Sequence, residues 1–247
     1  MAEKLPASIR RFVEDYRRVR LHEGYASDDP GYAARLPYVD VTGRNRAVWR
    51  LRARHYLVAR AVLTLVPGMG RVLDVGAGNG WLARRLAGSH RVTAVDVDAG
   101  PTGLGALDDR RVARVCGELE SLPFTGGRFD AAVAAASLHY AVDLRRALGE
   151  LGRVLRAGGL LVVADSPLYA DAEARDRAQE RTRAYYEAEG AAHLADRYRG
   201  LVRAELDEGP FRFFALTPGI GRLGDAIARL RGREGLARMP VLVGRRR

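Results

Sequence analysis

Residues 72–80 run Val72-Leu73-Asp74-Val75-Gly76-Ala77-Gly78-Asn79-Gly80, an apolar strand that breaks into three glycines at alternate positions. Arg71 to Val75 predicts a short buried strand, and the stretch after Gly80 predicts a helix. Glycines between a strand and a helix let the backbone turn tightly and let a ligand approach the helix N-terminus. A dinucleotide-binding turn carries its third glycine one residue later, where this chain has Trp81. An acid, Asp74, stands two residues before the first glycine. It would repel a pyrophosphate and favours a ligand with a cationic ammonium group.

The next segments repeat the alternation. Val92 to Asp96, Val112 to Val115, Phe129 to Ala135 and Leu160 to Ala164 read as strands. A helix over 143–156, with Leu144, Leu148, Leu151 and Leu155 on one face, precedes the last of these, and Gly158-Gly159 is expected to close it. Near-continuous apolar strands alternating with helices indicate an α/β fold, a parallel sheet covered on both faces. Asp96 ends the second strand, where a carboxylate can accept hydrogen bonds from two ribose hydroxyls. It is expected to wait at the mouth of a pocket, outside the core, while Asp98 is expected to be solvated. Glu118 follows the third strand, placed to accept from an adenine amino group. Ammonium, ribose and adenine in that order describe an aminoacyl nucleoside.

The ordered series resembles a class I S-adenosylmethionine-dependent methyltransferase of the small-molecule type. It comprises Val72 to Gly80, Asp96, Gly117-Glu118-Leu119-Glu120-Ser121-Leu122-Pro123-Phe124, Arg128-Phe129-Asp130, Ser137-Leu138-His139 and Arg153 to Gly159. The resemblance covers roughly residues 70–165. It implies a Rossmann-like, seven-stranded, mostly parallel sheet with an antiparallel last strand, and S-adenosylmethionine as cofactor. It implies Asp74, Gly76 and Gly78 beside the methionine part, with Gly80 as a further cofactor-binding residue. Asp96 would hold the ribose, Glu118 and Leu119 would flank the adenine, and Val97 is a further cofactor-binding candidate. The family more often has Asp where Glu118 stands.

Outside that span the pattern is looser. A helix over 8–20, with Ser8 as its cap, leads into a loop over 21–44. A helix over 45–66 puts Val48, Leu51, His55, Val58, Val62 and Leu65 on one stripe. Residues 1–67 then form an N-terminal helical cap, and 68–247 the S-adenosylmethionine-binding domain. After the fifth strand, 166–210 is a helical substrate-side insertion, with polar helix over 171–206. Strands follow at 211–216 and 241–243, with a helix near 222–231 between them. Tyr169, Tyr185, Tyr186 and Tyr198 concentrate in and near the insertion and either pack its helices or line a pocket. Tyr25, Tyr32, Tyr38 and Trp49 pose the same choice. The Arg44–Arg54 cluster reads as a solvated face from which one arginine can meet the cofactor's carboxylate.

His139 and Tyr140 follow the fourth strand at its carboxyl end and are the catalytic candidates. A histidine there can deprotonate an acceptor, or simply wall the pocket. His22, His55, His90 and His193 read as ordinary structural or surface residues, and the five histidines lack metal-ligand spacing. Cys116 is the only cysteine, so no intrachain disulfide forms. Without a signal-like start or an apolar run of membrane length, a cytoplasmic protein is expected.

The net charge of +11 does not mark a nucleic-acid surface. It divides as +6 over residues 1–70, +1 over 71–166 and +4 over 167–247, so both flanks share it. All but one of the 41 basic residues are arginine, the stamp of a GC-rich codon bias. A polyanion site needs those arginines on one face. The expected activity is in-line transfer of a methyl group to a small organic acceptor. The alternatives are an RNA-directed methyltransferase, which lacks its Asn/Asp-Pro-Pro-aromatic motif at Ala136-Ser137-Leu138-His139, and a catalytically silent subunit that binds S-adenosylmethionine. No pattern sets an oligomeric state.

Overall fold

The computed structural model describes residues 6–29, 31–216 and 237–247. Helix α1 (Ala7–Glu23) follows Pro6, so Ser8 lies inside the helix and caps nothing. It stops at Gly24, which takes the left-handed φ of 79° and returns its N–H to Arg20 and Leu21. The stretch expected as loop contains one short helix, α2 (Tyr32–Arg35). Helix α3 (Arg46–Leu63) ends before its expected limit and buries Trp49, His55, Tyr56, Ala59, Val62 and Leu63. The expected stripe was drawn partly around the wrong side. Leu65 lies past the last turn, is 73% exposed, and no longer follows the helical direction.

Strand β1 (Arg71–Val75) leads through the glycines to α4 (Trp81–Leu86), then β2 (Arg91–Asp96), β3 (Val112–Cys116) and β4 (Phe129–Ala135). Asp143 caps α5 (Leu144–Val154) by accepting from Arg146 N–H. Strand β5 (Leu155–Ala164) begins at once, so Gly158-Gly159 does not close the helix. Gly158 takes a φ of 70°, and the pairing jumps from Phe129 with Leu155 to Ala131 with Leu160. The two glycines absorb a bulge within the strand.

The polar stretch expected as one helix is broken. Strand β6 (Leu168–Tyr169) and helix α6 (Ala172–Ala188) lead to Gly190, where a positive φ ends the run. Then come α7 (Ala192–Arg197), β7 (Leu201–Val202), α8 (Arg203–Asp207), β8 (Phe211–Ala215) and β9 (Leu242–Arg246). The helix expected near 222–231 lies outside the described residues.

The main sheet has seven strands in the order β3-β2-β1-β4-β5-β9-β8. The first five are parallel, and β9 runs antiparallel to both neighbours. One face packs Leu73, Val75 and Val163 against Leu148 and Leu151 of α5 and Leu206 of α8. The other packs Val72, Val133 and Val162 against Tyr56, Val62 and Leu63 of α3 and Leu82 and Leu86 of α4. Residues 1–67 therefore divide. Helix α3 is part of the sheet sandwich, whereas α1 joins α6 and α7 in a separate cluster of Phe12, Val19, Tyr186, Leu194 and Ala195. That cluster forms a lid over the carboxyl ends of β1, β2 and β4.

Candidate functional site

Parallel strands deliver their last residues to one edge, and a change of connection direction opens a crevice there. Here β1 connects to β2 on one side and pairs with β4 on the other. The crevice has two joined halves. One, of about 720 Å³, runs along the ends of β2 and β3 beneath α1. The other, of about 1340 Å³, lies between the glycine loop, α3 and the lid. Gly76, Ala136, Tyr16 and Tyr140 border both.

The smaller half is lined by Asp96, Val97, Glu118 and Leu119, the residues the sequence marked for the nucleoside. Asp96 does more than wait there. Its Oδ2 accepts from Gly78 N–H at 2.8 Å and its Oδ1 from Asp98 N–H at 2.8 Å, so it also braces the loop. Burial pushes its carboxyl up to about 6, against the pull of the Asp98 and Gly78 amides. Asp98 is not solvated. It is buried, and its Oδ1 accepts from Arg17 of α1 at 2.6 Å and from Gly100 N–H at 2.8 Å. The absence of Cβ at Gly103 admits the Asp98 carbonyl, which would lie 2.2 Å from one.

The glycines serve different ends. A Cβ at Gly78 would meet nothing within 4 Å, so the loop leaves open space on the larger half. Gly76 lies against Ser137, where a Cβ would come within 2.3 Å. Gly80 borders neither half. It takes a φ of 73°, starts α4 and packs on Leu107. Asp74 also lies beneath the lining, and burial pushes its carboxyl up to about 7. Its Oδ2 and the Ser137 hydroxyl are buried without a hydrogen-bond partner. Two orphaned polar atoms beside open loop space fit a polar ligand seated on the loop. The Asp74 carboxylate suits an ammonium, and the Asp96 carboxylate suits the hydroxyls of a ribose.

The larger half holds His139, Tyr140, Tyr186 and Tyr198. His139 Nδ1 is 3.0 Å from Ser166 Oγ, and its ring packs on Tyr140 and Tyr198. Burial, followed by Arg20 and Arg52, drives its pKa down to about 3, which leaves a neutral, weakly basic ring. Burial raises Tyr140 and Tyr16, so both phenols stay protonated. Tyr169 and Tyr185 stand apart, on an outer groove, and Tyr185 donates to Glu23. Of the N-terminal aromatics, Tyr25 and Trp49 reach the cleft, Tyr32 is buried and Tyr38 is exposed.

Sequence reasoning missed three features. Arg20 donates to Tyr140 at 2.5 Å and Tyr186 at 2.9 Å, and pairs with Glu23, which ties α1 to two other parts of the chain. Arg52 lies over the Tyr25 and Trp49 rings on the cleft wall, and its Nε is buried without a hydrogen-bond partner. It is the cleft-facing member of the arginine cluster. His55 is buried against Asp165, with Nδ1 2.6 Å from Oδ1. Spacing of 110 residues hides that pair from any local pattern. Cys116 is half-buried, with its thiol 3.7 Å from the Val97 carbonyl. No cluster among the described residues has the composition to hold a metal ion.

Residues 73–163 match the family model described as a methyltransferase domain. A demethylmenaquinone methyltransferase of Mycolicibacterium gilvum (strain PYR-GCK) is 39% identical over 107 residues, 43% of this chain and 46% of that protein. The ubiquinone/menaquinone biosynthesis C-methyltransferase UbiE of Geobacter sp. (strain M21) is 32% identical over 156 residues, 56% of this chain and 65% of that protein. The chain thus spans about half the length of the first of these relatives. The geranyl diphosphate C-methyltransferase of Streptomyces coelicolor A3(2) shares the fold, with a TM-score of 0.60 at 18% identity over 81% of this chain and 77% of that one. Residues 73–163 are thus a methyltransferase domain, and the fold and the glycine loop around it are similar to those of the class I S-adenosylmethionine-dependent methyltransferases.

Proposed function

We propose that this chain transfers the methyl group of S-adenosylmethionine to a small phenolic or enolic acceptor. The observation that carries it is the two-part cleft, with acids at the strand ends in one half and an aromatic chamber in the other, joined at Gly76 and Ala136. Asp96 would hold the ribose, Val97, Glu118 and Leu119 the adenine, and Gly76 and Gly78 the methionine part above Asp74. S-adenosylmethionine supplies a methyl group already activated on its sulfonium. The chain's own work is then to align the acceptor and exclude water. The lid of α1, α6 and α7 supplies the exclusion, and Arg20 fixes Tyr140 and Tyr186 as rigid walls.

One curated relative is named for demethylmenaquinone and the other for ubiquinone and menaquinone biosynthesis, and a quinone-derived ring suits the aromatic chamber. A base within a polynucleotide would have to pass the lid. No helix among the described residues is long and apolar enough to cross a membrane, and a lone unpaired thiol suits work in the cytoplasm.

Calorimetry with S-adenosylmethionine and mass-spectrometric detection of transfer to 1,4-naphthohydroquinone test this reading. The wild type should bind and transfer. Asp96→Ala should weaken S-adenosylmethionine by at least roughly tenfold, since hydrogen bonds to a charged group are worth about 1.5–3 kcal/mol each. Its thermal midpoint should also fall, because Gly78 and Asp98 lose their acceptor. A wild type indifferent to S-adenosylmethionine would overturn the assignment.

A further inference from the structure

Only two non-glycine residues among those described take a positive φ, Ala136 at 54° and Asp165 at 56°. They follow β4 and β5 directly, and both line the larger half of the cleft. Such a conformation is costly for a residue with a side chain and persists where the surroundings over-determine it. At Asp165 the surroundings are His55 of α3. Both side chains are buried, at 5% exposure each, and Nδ1 approaches Oδ1 to 2.6 Å. No other hydrogen bond to the Asp165 carboxylate is made among the described residues, so Oδ2 is left for a ligand in the cleft.

The other carboxylate, the histidine and two of the tyrosines of that chamber are committed. Glu23 is held by Arg20 and Tyr185. Tyr140 and Tyr186 accept from Arg20. His139 Nδ1 is engaged by Ser166, and its ring is packed between two tyrosines. Asp165 alone combines negative charge, cleft exposure and an uncommitted oxygen.

We propose that Asp165 takes the proton from the hydroxyl of the methyl acceptor and that His55 is its positioning residue; this rests on the methyltransferase reading above. His55 donates from Nδ1 to Oδ1 and so aims Oδ2 at the chamber. As the O–H proton passes to Oδ2, the oxygen's electron pair moves to the conjugated ring carbon. That carbon forms a bond to the methyl group while the C–S pair returns to sulfur, leaving S-adenosylhomocysteine. Tautomerisation carries the ring proton to the oxygen, and Asp165 releases its proton to solvent. The net yield is methylated phenol, thioether and one proton. An acceptor already ionised in solution needs no such transfer, which separates chemistry from scaffolding.

The test uses Asp165→Asn and His55→Gln in the full chain with two reduced probes. One is 1,4-naphthohydroquinone, un-ionised at neutral pH. The other is a naphthohydroquinone carrying a nitro group, acidic enough to ionise there. Asp165→Asn should lose roughly 10²–10⁴-fold in kcat on the first probe and less than about tenfold on the second. His55→Gln should lose about tenfold on the first only, and Asp165→Glu should recover part of the loss. S-adenosylmethionine affinity should stay within about threefold in all three. Without turnover, 1-naphthol binding to the S-adenosylhomocysteine complex should weaken about tenfold in Asp165→Asn. Equal losses on both probes, or no loss on either, would overturn the proposal. A wild type that binds S-adenosylmethionine yet methylates neither probe overturns the acceptor class and this role with it. One that does not bind it overturns the methyltransferase reading instead.

Discussion

In the sheet, Ala131, Ala132 and Val133 of β4 are fully buried, with partners in β1 on one side and β5 on the other. In the lid, α1 meets α6 and α7 through Phe12, Tyr16, Tyr186 and Tyr198, and Arg20 ties them with charged hydrogen bonds. The sheet gains its free energy from apolar area and a continuous hydrogen-bond ladder. The lid gains its own from a few polar and aromatic contacts between segments far apart in sequence. Contacts of the second kind break one at a time. The region that must open for ligands is therefore the one held by few, separable links.

The largest effect should come from cutting into the sheet's packing. Leu148 of α5 is fully buried against it, and Leu148→Ala should cost about 2–5 kcal/mol. Sheet and lid should then melt together, at a lower midpoint by circular dichroism and by tyrosine fluorescence alike. A lid that melts separately in this variant would show the two regions to be less coupled than their shared residues imply.

Arg20→Ala cuts the other region. It leaves the buried Tyr140 and Tyr186 hydroxyls without their donor, at about 1.5–3 kcal/mol. Hydrogen exchange should quicken in α1, α6 and α7 and stay unchanged in β1, β4 and β5. Uniform quickening would erase the distinction between the regions.

Asp74→Asn probes the seam between them. Burial raises the Asp74 carboxyl from the ordinary 3.8 to about 7. Between those values the folded chain holds a proton that the unfolded chain has lost. Stability therefore falls as pH rises through that window. Asn cannot ionise, so the ligand-free variant should melt above wild type at pH 8. The gap should close near pH 4, as differential scanning calorimetry can follow. A gap that is the same at both pH values would mean that Asp74 ionises freely.

The same divide governs what could be read from the sequence. Strands β1 and β4 lie where their apolar runs placed them, because a central parallel strand is buried on both faces and writes that burial into consecutive residues. Asp96, Val97, Glu118 and Leu119 reached the cleft for the same reason, since they follow directly from strand ends. The lid was legible only as helical. Arg20 finds Tyr140 across 120 residues, and Arg17 finds Asp98 across 81. Such pairings are set by three-dimensional closure and leave no period in the chain. Asp98 read as solvated because nothing near it in sequence could neutralise it.

The position of β9 between β5 and β8 bears on how the molecule comes to be made. Among the described residues, strand β8 has no neighbour in the sheet but β9, which follows it in the chain by more than two dozen residues. A growing polypeptide that has emerged as far as Phe211 and Phe213 has nowhere to hydrogen-bond them. Their rings can pack on the α5 side of the core, but the edge of β5 stays bare until the later strand arrives. Synthesis therefore completes the ligand-binding half of the sheet first and leaves an unpaired edge on its other side, which is the surface a ribosome-bound intermediate must keep from its neighbours.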